Sequence, residues 1–220
     1  LMILTFPFVW LSIALSSRME PKEDDQKRVS REEIAVMAEM GEDEGSLDEQ
    51  ESDIIENLLQ LKNISVNDIL TPRSVIFGFE DKQTVGEAMD LEGSINFSRI
   101  PIFNENIDNV IGIVYKDTLL ETMADDFFEK TMSEISKPVD TVFENESVES
   151  VLKKFISKRS HMFIVKDEFG GTTGLVTLED CIETLLGVEI MDESDKVADM
   201  RKQAKYQIRQ KIKAKAKNQF

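Results

Sequence analysis

The feature that most limits the fold of this chain is an internal repeat. Residues 64–123 and residues 132–190 run through the same order of apolar and polar segments. Three residues recur at matching places in the two copies: Pro72 with Pro138, Ser98 with Ser160, and Gly112 with Gly174. A repeat of this kind predicts two copies of one small structural unit.

Each copy is predicted to fold as helix, strand, helix, strand, strand and helix. Residues 162–165 and 174–176 are short apolar runs, as is typical of strands covered on both faces. The stretch between Val148 and Ile156 has helical spacing and predicts one buried stripe: Val148, Val151, Leu152, Phe155 and Ile156. One copy alone buries too little apolar surface, so we predict two α+β units packed against each other.

The N-terminal residues are strongly apolar. Residues 1–17 contain no charged side chain, and as a helix they would span nearly the thickness of a bilayer core. We interpret residues 1–18 as the end of a transmembrane domain whose earlier part is missing, with a signal-peptide core and a buried globular helix as alternatives. The basic residues that follow favour a cell-membrane protein whose remaining chain is cytoplasmic.

Residues 19–63 are acidic and predict a helical connector between the membrane and the repeats. Ser30 and Glu33 have the spacing of a capping box, which marks the start of a first helix. Ser46 and Glu49 have the same spacing and predict the start of a second helix, which continues to about Asn63.

The formal net charge of −17 disfavours nucleic acid as a partner. The charge is uneven, because residues 196–220 carry nine Lys or Arg and a single acid, Asp199. We predict a basic tail that is helical at least in part. It is either a solvated end or a segment attracted to anionic lipid or to the acidic body of a neighbouring subunit.

The sequence contains little that indicates an enzyme. Cys181 and His161 are the only residues of their types, which excludes an internal disulfide, a His-based triad and a two-His metal site. Cys181 is interpreted as a buried structural thiol. We find no phosphate-cradling loop or nucleophile elbow, and the acidic runs 42–44 and 125–126 are interpreted as solvated helix starts rather than a protein-only Mg²⁺ site.

The segment GLVTLEDCIETLLG, residues 174–187, leads from an apolar strand into an amphipathic helix. As structure alone, Thr177 and Asp180 would cap the helix start, a contribution of about 1 kcal/mol. As a site, Asp180 could accept hydrogen bonds from two vicinal hydroxyls, as in ribose, while Gly174 would let a guest approach the backbone. The residues alone leave both interpretations open.

The repeats resemble the paired CBS (cystathionine β-synthase) domains known as a Bateman module, and more narrowly the CNNM/CorC membrane family. The resemblance is carried by GEDEGSLDEQESDIIENLLQL, ILTPRS, FSRIPIF and DEFGGTTGLVTLEDCIETLLGVEI. It implies an α+β fold of tandem CBS repeats behind the transmembrane remnant and connector.

The resemblance also implies a binding site for ATP or another adenosine nucleotide. Any Mg²⁺ in this site would arrive bound to the nucleotide phosphates. The ribose would contact Gly174, Thr177 and Asp180. The adenine side would be formed by Thr71, Pro72, Arg73 and Ile76, and the phosphates would lie near Ser98 and Arg99. In the first repeat Asp117 follows Gly112 by one residue too few and Tyr115 replaces threonine, so one site per chain is expected.

The function implied is that of a non-enzymatic, nucleotide-sensing regulatory module in a membrane protein involved in magnesium and cobalt transport, with two chains pairing as a homodimer. One alternative is a nucleotide-sensing membrane adaptor without transport activity. A second is an enzyme accessory module or an adenylate hydrolase.

Overall fold

The computed structural model describes residues 29–91 and 93–188. No helix within these ranges is both long enough and apolar enough to cross a membrane. The predicted transmembrane segment, residues 1–18, and the predicted basic tail, residues 196–220, lie outside the described residues.

The connector forms two helices, α1 (Arg31–Asp43) and α2 (Glu49–Gln60). The predicted capping box of α1 is confirmed, because Ser30 and Glu33 each bond the other's backbone amide. The predicted start of α2 at Ser46 is wrong. Asp48 is the N-cap and pairs with Glu51, whereas the Ser46 hydroxyl donates to the Gly41 carbonyl.

The elements of the second repeat follow the predicted order. The elements of the first repeat do so too, except that its first helix is a 3-10 turn and that a two-residue strand and a second 3-10 turn come before its predicted first strand. In the first repeat they are a 3-10 turn (Val66–Asp68), β1 (Thr71–Pro72), a 3-10 turn (Arg73–Val75), β2 (Phe79–Glu80), α3 (Val85–Met89), β3 (Arg99–Phe103), β4 (Val110–Tyr115) and α4 (Lys116–Ala124). In the second they are α5 (Met132–Ile135), β5 (Thr141–Phe143), α6 (Val148–Lys158), β6 (Met162–Lys166), β7 (Thr172–Thr177) and α7 (Leu178–Leu186).

The stripe predicted for α6 is confirmed except at one position. Val148, Val151 and Phe155 are buried, and Leu152 packs against them, but Ile156 is 69% exposed. At about 100° per residue, Ile156 lies at the edge of the stripe, away from the line that faces the sheet.

The segments that begin the two repeats each cross to the sheet of the other repeat. The sheet order β1-β7-β6-β5 places β1 of the first repeat in the sheet of the second, antiparallel to β7. The reciprocal contact is a bridge from Lys137, at the start of the second repeat, to Ile113 of β4, in the β2-β3-β4 sheet. Neither sheet is therefore complete without the other repeat.

A second pair of contacts shows the same exchange. Ser65, which precedes the first turn of repeat one, bridges to Ser147 at the start of α6. Thr131, which precedes α5 of repeat two, bridges to Thr84 at the start of α3. The two repeats thus hold each other through equivalent contacts related by an approximate two-fold axis.

Three groups of buried residues form the core. One fills the second repeat and includes Leu61 from the connector, and another fills the first repeat around Phe79 and Ile102. The third lies between the repeats and joins Ile113 of β4 to Met162 and Leu175 of the second sheet. This third group, called here the inter-repeat cluster, has Ile76, Val110, Tyr115 and Val139 packed against it.

The strand registers correct one predicted correspondence between the repeats. Ile100 pairs with Val114 in the first sheet, and Phe163 pairs with Val176 in the second. The position that matches Ser98 is therefore His161, not Ser160. Gly112 and Gly174 remain equivalent.

Candidate functional site

The exchanged strand brings two groups of candidate residues together. In the ladder between β1 and β7, Thr71 lies opposite Leu175 and Pro72 lies opposite Gly174. The Thr71–Pro72 segment is thereby fixed beside the strand that leads to Thr177. Residues more than one hundred positions apart in the chain become neighbours.

There is no room for a side chain at Gly174, because another part of the chain occupies that space. A Cβ atom there would collide with the Thr71 carbonyl oxygen and lie 2.8 Å from Cδ1 of Leu70. Gly112 is in the equivalent position, where a Cβ atom would lie 2.7 Å from the Lys137 carbonyl oxygen. The close approach that we expected of a guest at Gly174 is made by the first repeat itself.

Thr177 and Asp180 form the capping box of α7. Oδ2 of Asp180 accepts from the Thr177 amide at 2.9 Å and from its hydroxyl at 2.8 Å, and the Asp180 amide donates to Oγ1 of Thr177 at 3.2 Å. The capping interpretation is confirmed. Whether the pair also contacts a ligand stays a prediction.

Burial distinguishes this cap from another with the same spacing. Thr84 and Glu87 form a capping box at α3, where Glu87 is exposed. Asp180 is only 5% exposed. A buried carboxylate at a helix start is a strong hydrogen-bond acceptor, because little water competes for it.

Arg73 is already engaged in an ion pair. Its Nη1 donates to Oδ1 of Asp108 at 2.6 Å and its Nη2 to Oδ2 at 3.3 Å, a two-point contact with the β3–β4 loop. The hydroxyl of Thr172 donates to the Asp108 carbonyl at 3.2 Å, which ties the loop to β7. Arg73 therefore links β1 to the first repeat's own loop.

Ile76 packs against the inter-repeat cluster. Met162 of that cluster is the strand partner of Thr177. Ile76 and the start of α7 consequently border the same region between the repeats.

Ser98 and Arg99 lie on the first repeat at the start of β3. The Ser98 carbonyl accepts from the Lys116 amide, and its side chain is exposed. The Arg99 guanidinium carbon lies 5.9 Å from the ring centroid of Tyr115. We find no direct contact that joins Ser98 or Arg99 to Thr177 or Asp180 in the described part of the chain.

Sequence reasoning missed Lys137 and Asp108. The Lys137 ammonium lies 5.1 Å from the ring centroid of Tyr115, and Asp108 holds Arg73. A signal for Lys137 was present, because it precedes Pro138 as Thr71 precedes Pro72. Asp108 lies in the β3–β4 loop, where no pattern in the sequence indicates it.

The described ranges contain no cluster of three or more His, Cys, Asp or Glu side chains arranged to hold a metal ion. A shallow depression of about 440 Å³ lies on the first repeat, away from the candidate site, and is lined by Gly78, Glu80, Lys82, Gln83, Glu87 and Phe103.

Cys181 is buried in the core of the second repeat, as predicted. Burial, together with the neighbouring Asp180 and Glu179 charges, raises the pKa of its thiol from 9.0 to about 12. The thiolate, which is the reactive form, is therefore nearly absent at neutral pH.

Labelling with a thiol reagent at pH 8 should accordingly be at least roughly a hundredfold slower for the native protein than for the protein in urea. Equal labelling rates in the native and unfolded states would contradict the buried assignment.

The same pKa shift predicts that the free energy of unfolding falls as pH rises above 9, since the unfolded thiol ionises there while the folded thiol stays protonated until about pH 12.

Two exchanged repeats of this topology define a CBS-pair module, and comparison with known proteins agrees. The CBS domain family model matches residues 132–187. The CBS domain of a bacterial CNNM/CorC family Mg²⁺ transporter is 37% identical with a TM-score of 0.70, covering 74% of this chain and 99% of that one. A structure of such a domain in complex with ATP is 39% identical with a TM-score of 0.60, covering 64% and 99%.

Relatives of greater length support the narrower family. The magnesium and cobalt efflux protein CorC of Escherichia coli is 35% identical over 181 residues, which is 82% of this chain and 59% of that protein. A UPF0053 protein of Synechocystis is 34% identical over 202 residues, 90% of this chain and 57% of that protein. The chain belongs to the CNNM/CorC family and spans somewhat more than half the length of these relatives.

Proposed function

We propose that this chain is the nucleotide-sensing regulatory module of a CNNM/CorC membrane protein that takes part in magnesium or cobalt transport. An adenosine nucleotide would bind between the Thr71–Ile76 segment of the first repeat and the Thr177–Asp180 cap of the second. The observation that supports the proposal is the β1–β7 ladder, which fixes Thr71 and Pro72 beside Leu175 and Gly174, the strand residues that lead to Thr177.

The chemistry of the cap supports a ribose contact. Asp180 is held by the Thr177 amide and hydroxyl, so its carboxylate has a fixed orientation at the end of β7. A fixed acceptor binds a diol with little loss of conformational entropy. The complex of a 39% identical CBS domain with ATP favours the same ligand class.

The connector offers a route from this site to the membrane. Leu61 at the end of α2 is 1% exposed within the core of the second repeat, and Asn57 of α2 contacts Gly187 at the end of α7. Because α7 begins at the proposed ribose contact, a ligand that favours one position of α7 would bias α2. The size of that bias equals the difference in affinity between the two arrangements.

We further propose that the module lies on the cytoplasmic side of the cell membrane, that two chains pair through their CBS repeats, and that Mg²⁺ accompanies the nucleotide phosphates. The domain boundaries at 64–123 and 132–190 remain predictions, as does the absence of catalytic activity. A nucleotide-sensing membrane adaptor without transport activity is the second candidate.

Calorimetric titration with ATP, ADP and AMP, each with and without Mg²⁺, tests the ligand. Saturable binding of an adenosine nucleotide is expected, and no binding of any of the three would contradict the proposal. Ion flux in vesicles that contain the longer native protein separates a transporter from an adaptor, and incubation with ATP tests for hydrolysis.

The ion pair between Arg73 and Asp108 offers a way to test whether Arg73 contacts the nucleotide. If Arg73 contacts the nucleotide, Asp108→Asn should raise the affinity for ATP by about two- to threefold, because it frees the guanidinium from an exposed ion pair whose contribution is below about 1 kcal/mol. Asp140→Asn, which removes another exposed ion-pair acid, is the matched control. Unchanged ATP affinity in Asp108→Asn would remove Arg73 from the site.

A further inference from the structure

The pair of helices α1 and α2, residues 31–60, called here the connector hairpin, has an apolar face that no other described segment covers. The two helices pack against each other, and Ala38 of α1 is buried. Val36, Met37 and Met40 are each more than half exposed. At about 100° per residue, these three side chains share one arc of α1 that points away from Ala38. The helix therefore has a second apolar stripe on its outer face.

The connector hairpin is also strongly acidic. Residues 31–60 contain eleven Asp or Glu and a single base, Arg31. Arg31 donates to the Leu59 carbonyl at 3.0 Å and pairs with Glu149 of the second repeat at 4.0 Å. The ion pairs between described residues include none of the eleven acids. The hairpin is thus a negative surface that the described part of the chain does not neutralise.

Three of these acids lie along one edge of the outer stripe. Glu32, Glu39 and Asp43 are exposed and recur at intervals of seven and four residues, which places them on one line of α1 beside Val36. A partner for this surface must therefore combine apolar side chains with a neighbouring line of cations. An anionic lipid surface does not fit, because it would repel the carboxylates.

The predicted basic tail, residues 196–220, has the required pattern. Four apolar residues recur at intervals of four and predict one line along a helix: Met200, Ala204, Ile208 and Ile212. Three of the nine bases predict a parallel line, each one residue further along: Arg201, Lys205 and Arg209. The tail sequence is therefore complementary to the outer face of α1 in both apolar pattern and charge.

The chain leaves the described range beside the connector hairpin. α7 is followed by Gly187, where a Cβ atom would lie 2.8 Å from Nδ2 of Asn57 in α2. The seven residues 189–195 that lead on to the tail can span up to about 25 Å, and α1, with 13 residues, is about 20 Å long. A tether this short gives the tail an effective concentration on the order of millimolar near the hairpin. The same chain is therefore the favoured source of the partner.

We propose that the basic tail binds the outer face of α1 in its own chain, with its apolar line on Val36, Met37 and Met40 and its line of cations on the neighbouring acids. Burial of the apolar side chains supplies affinity, and the charges set the register. This docking does not depend on nucleotide binding. Because the tail follows α7, it joins the end of the second repeat to the first helix of the connector.

Hydrogen–deuterium exchange of the full chain tests the docking. The line-reversed variant combines three substitutions: Arg201→Glu, Lys205→Glu and Arg209→Glu. Amides of α1 should exchange about fivefold faster in this variant, because an undocked α1 opens more often. Amides of α6, in the second repeat, should exchange at the same rate in both proteins. In about 1 M salt the unsubstituted chain should also lose protection at α1, because exposed charges are screened.

A matched control makes the same change in net charge on the other side of the predicted tail helix. It combines three bases that lie opposite the apolar line: Lys202→Glu, Lys213→Glu and Lys217→Glu. Exchange of α1 should stay within about twofold of the unsubstituted rate. Equal acceleration by both variants would show attraction between net charges without docking and would overturn the proposal. Equal exchange of α1 in the unsubstituted chain and the line-reversed variant would overturn it as well.

Carbodiimide cross-linking identifies which copy supplies the tail. The reagent joins a lysine amine to a carboxylate where the two are in contact, so links between Lys205 and α1 are expected within single chains. Links found only in covalent dimers would show that the tail of a second copy covers α1 and would overturn the same-chain assignment. A complete lack of such links overturns it too. Protection of α1 that requires phosphatidylserine vesicles would identify a lipid surface as the occupant, with the same consequence.

Discussion

Replacing Asp180 with alanine is expected to abolish the thermal stabilisation that ATP gives to this protein. The Asp180 carboxylate is 5% exposed and is held at the start of α7 by the capping box with Thr177. Without it, the ribose hydroxyls lose their acceptor and the helix loses its cap. The rise in Tm with ATP should vanish, as measured by thermal unfolding over a range of ATP concentrations.

The loss of the cap must be separated from the loss of the ligand. Cap removal alone should cost about 1 kcal/mol and lower the Tm without ATP. Glu87→Ala removes a capping box of the same spacing from α3 and provides the control. It should lower the starting Tm but keep the ATP-dependent rise. A full rise in Asp180→Ala would exclude Asp180 from the site.

The local structure of each repeat was predictable from the sequence because it depends on short-range patterns. The capping boxes at Ser30, Thr84 and Thr177 follow from i, i+3 spacing, and all three are present. The start of α2 was mispredicted, since Ser46 and Asp48 both offer an acceptor before an acidic residue. The one that lies directly before the helical turn is the cap.

The exchange of first strands was not predictable in the same way. A two-residue strand such as Thr71–Pro72 has no periodicity of its own, and its partner lies a hundred residues further along the chain. The repeat showed that two units must pack together, but not that each completes the other's sheet. The shifted match of Ser98 to His161 has the same origin, because strand register is set by pairing and not by residue similarity.

The residues of the candidate site also divide into those that a local motif indicates and those that depend on the tertiary fold. Thr177 and Asp180 were found through a local motif, and their mutual geometry is as the motif requires. Lys137 and Asp108 reach the region only through the tertiary fold, from the bridge to Ile113 and from the ion pair with Arg73. The side chains that reach the region only through tertiary contacts are therefore the ones that sequence patterns indicate least.

Gly174 connects the exchange of strands with the proposed function, and Gly174→Ala should have a large effect on both. A methyl group there would collide with the Thr71 carbonyl and press on Leu70, which is buried in the core of the second repeat. Because the Thr71 carbonyl belongs to the backbone, it cannot rotate away as a side chain could, and β1 must move away from β7. We expect a loss of about 1–3 kcal/mol in the free energy of unfolding, measured by urea denaturation.

Gly86→Ala is the matched control, because the nearest atom to its new methyl group would lie at an ordinary 3.6 Å and the residue is in α3. It should be neutral or slightly stabilising. Since β1 also carries Thr71 and Pro72, Gly174→Ala should weaken ATP binding under conditions where the protein is still folded. A variant of normal stability would show that β1 is not clamped against β7. A destabilised variant with unchanged ATP affinity would instead separate the strand exchange from the nucleotide site.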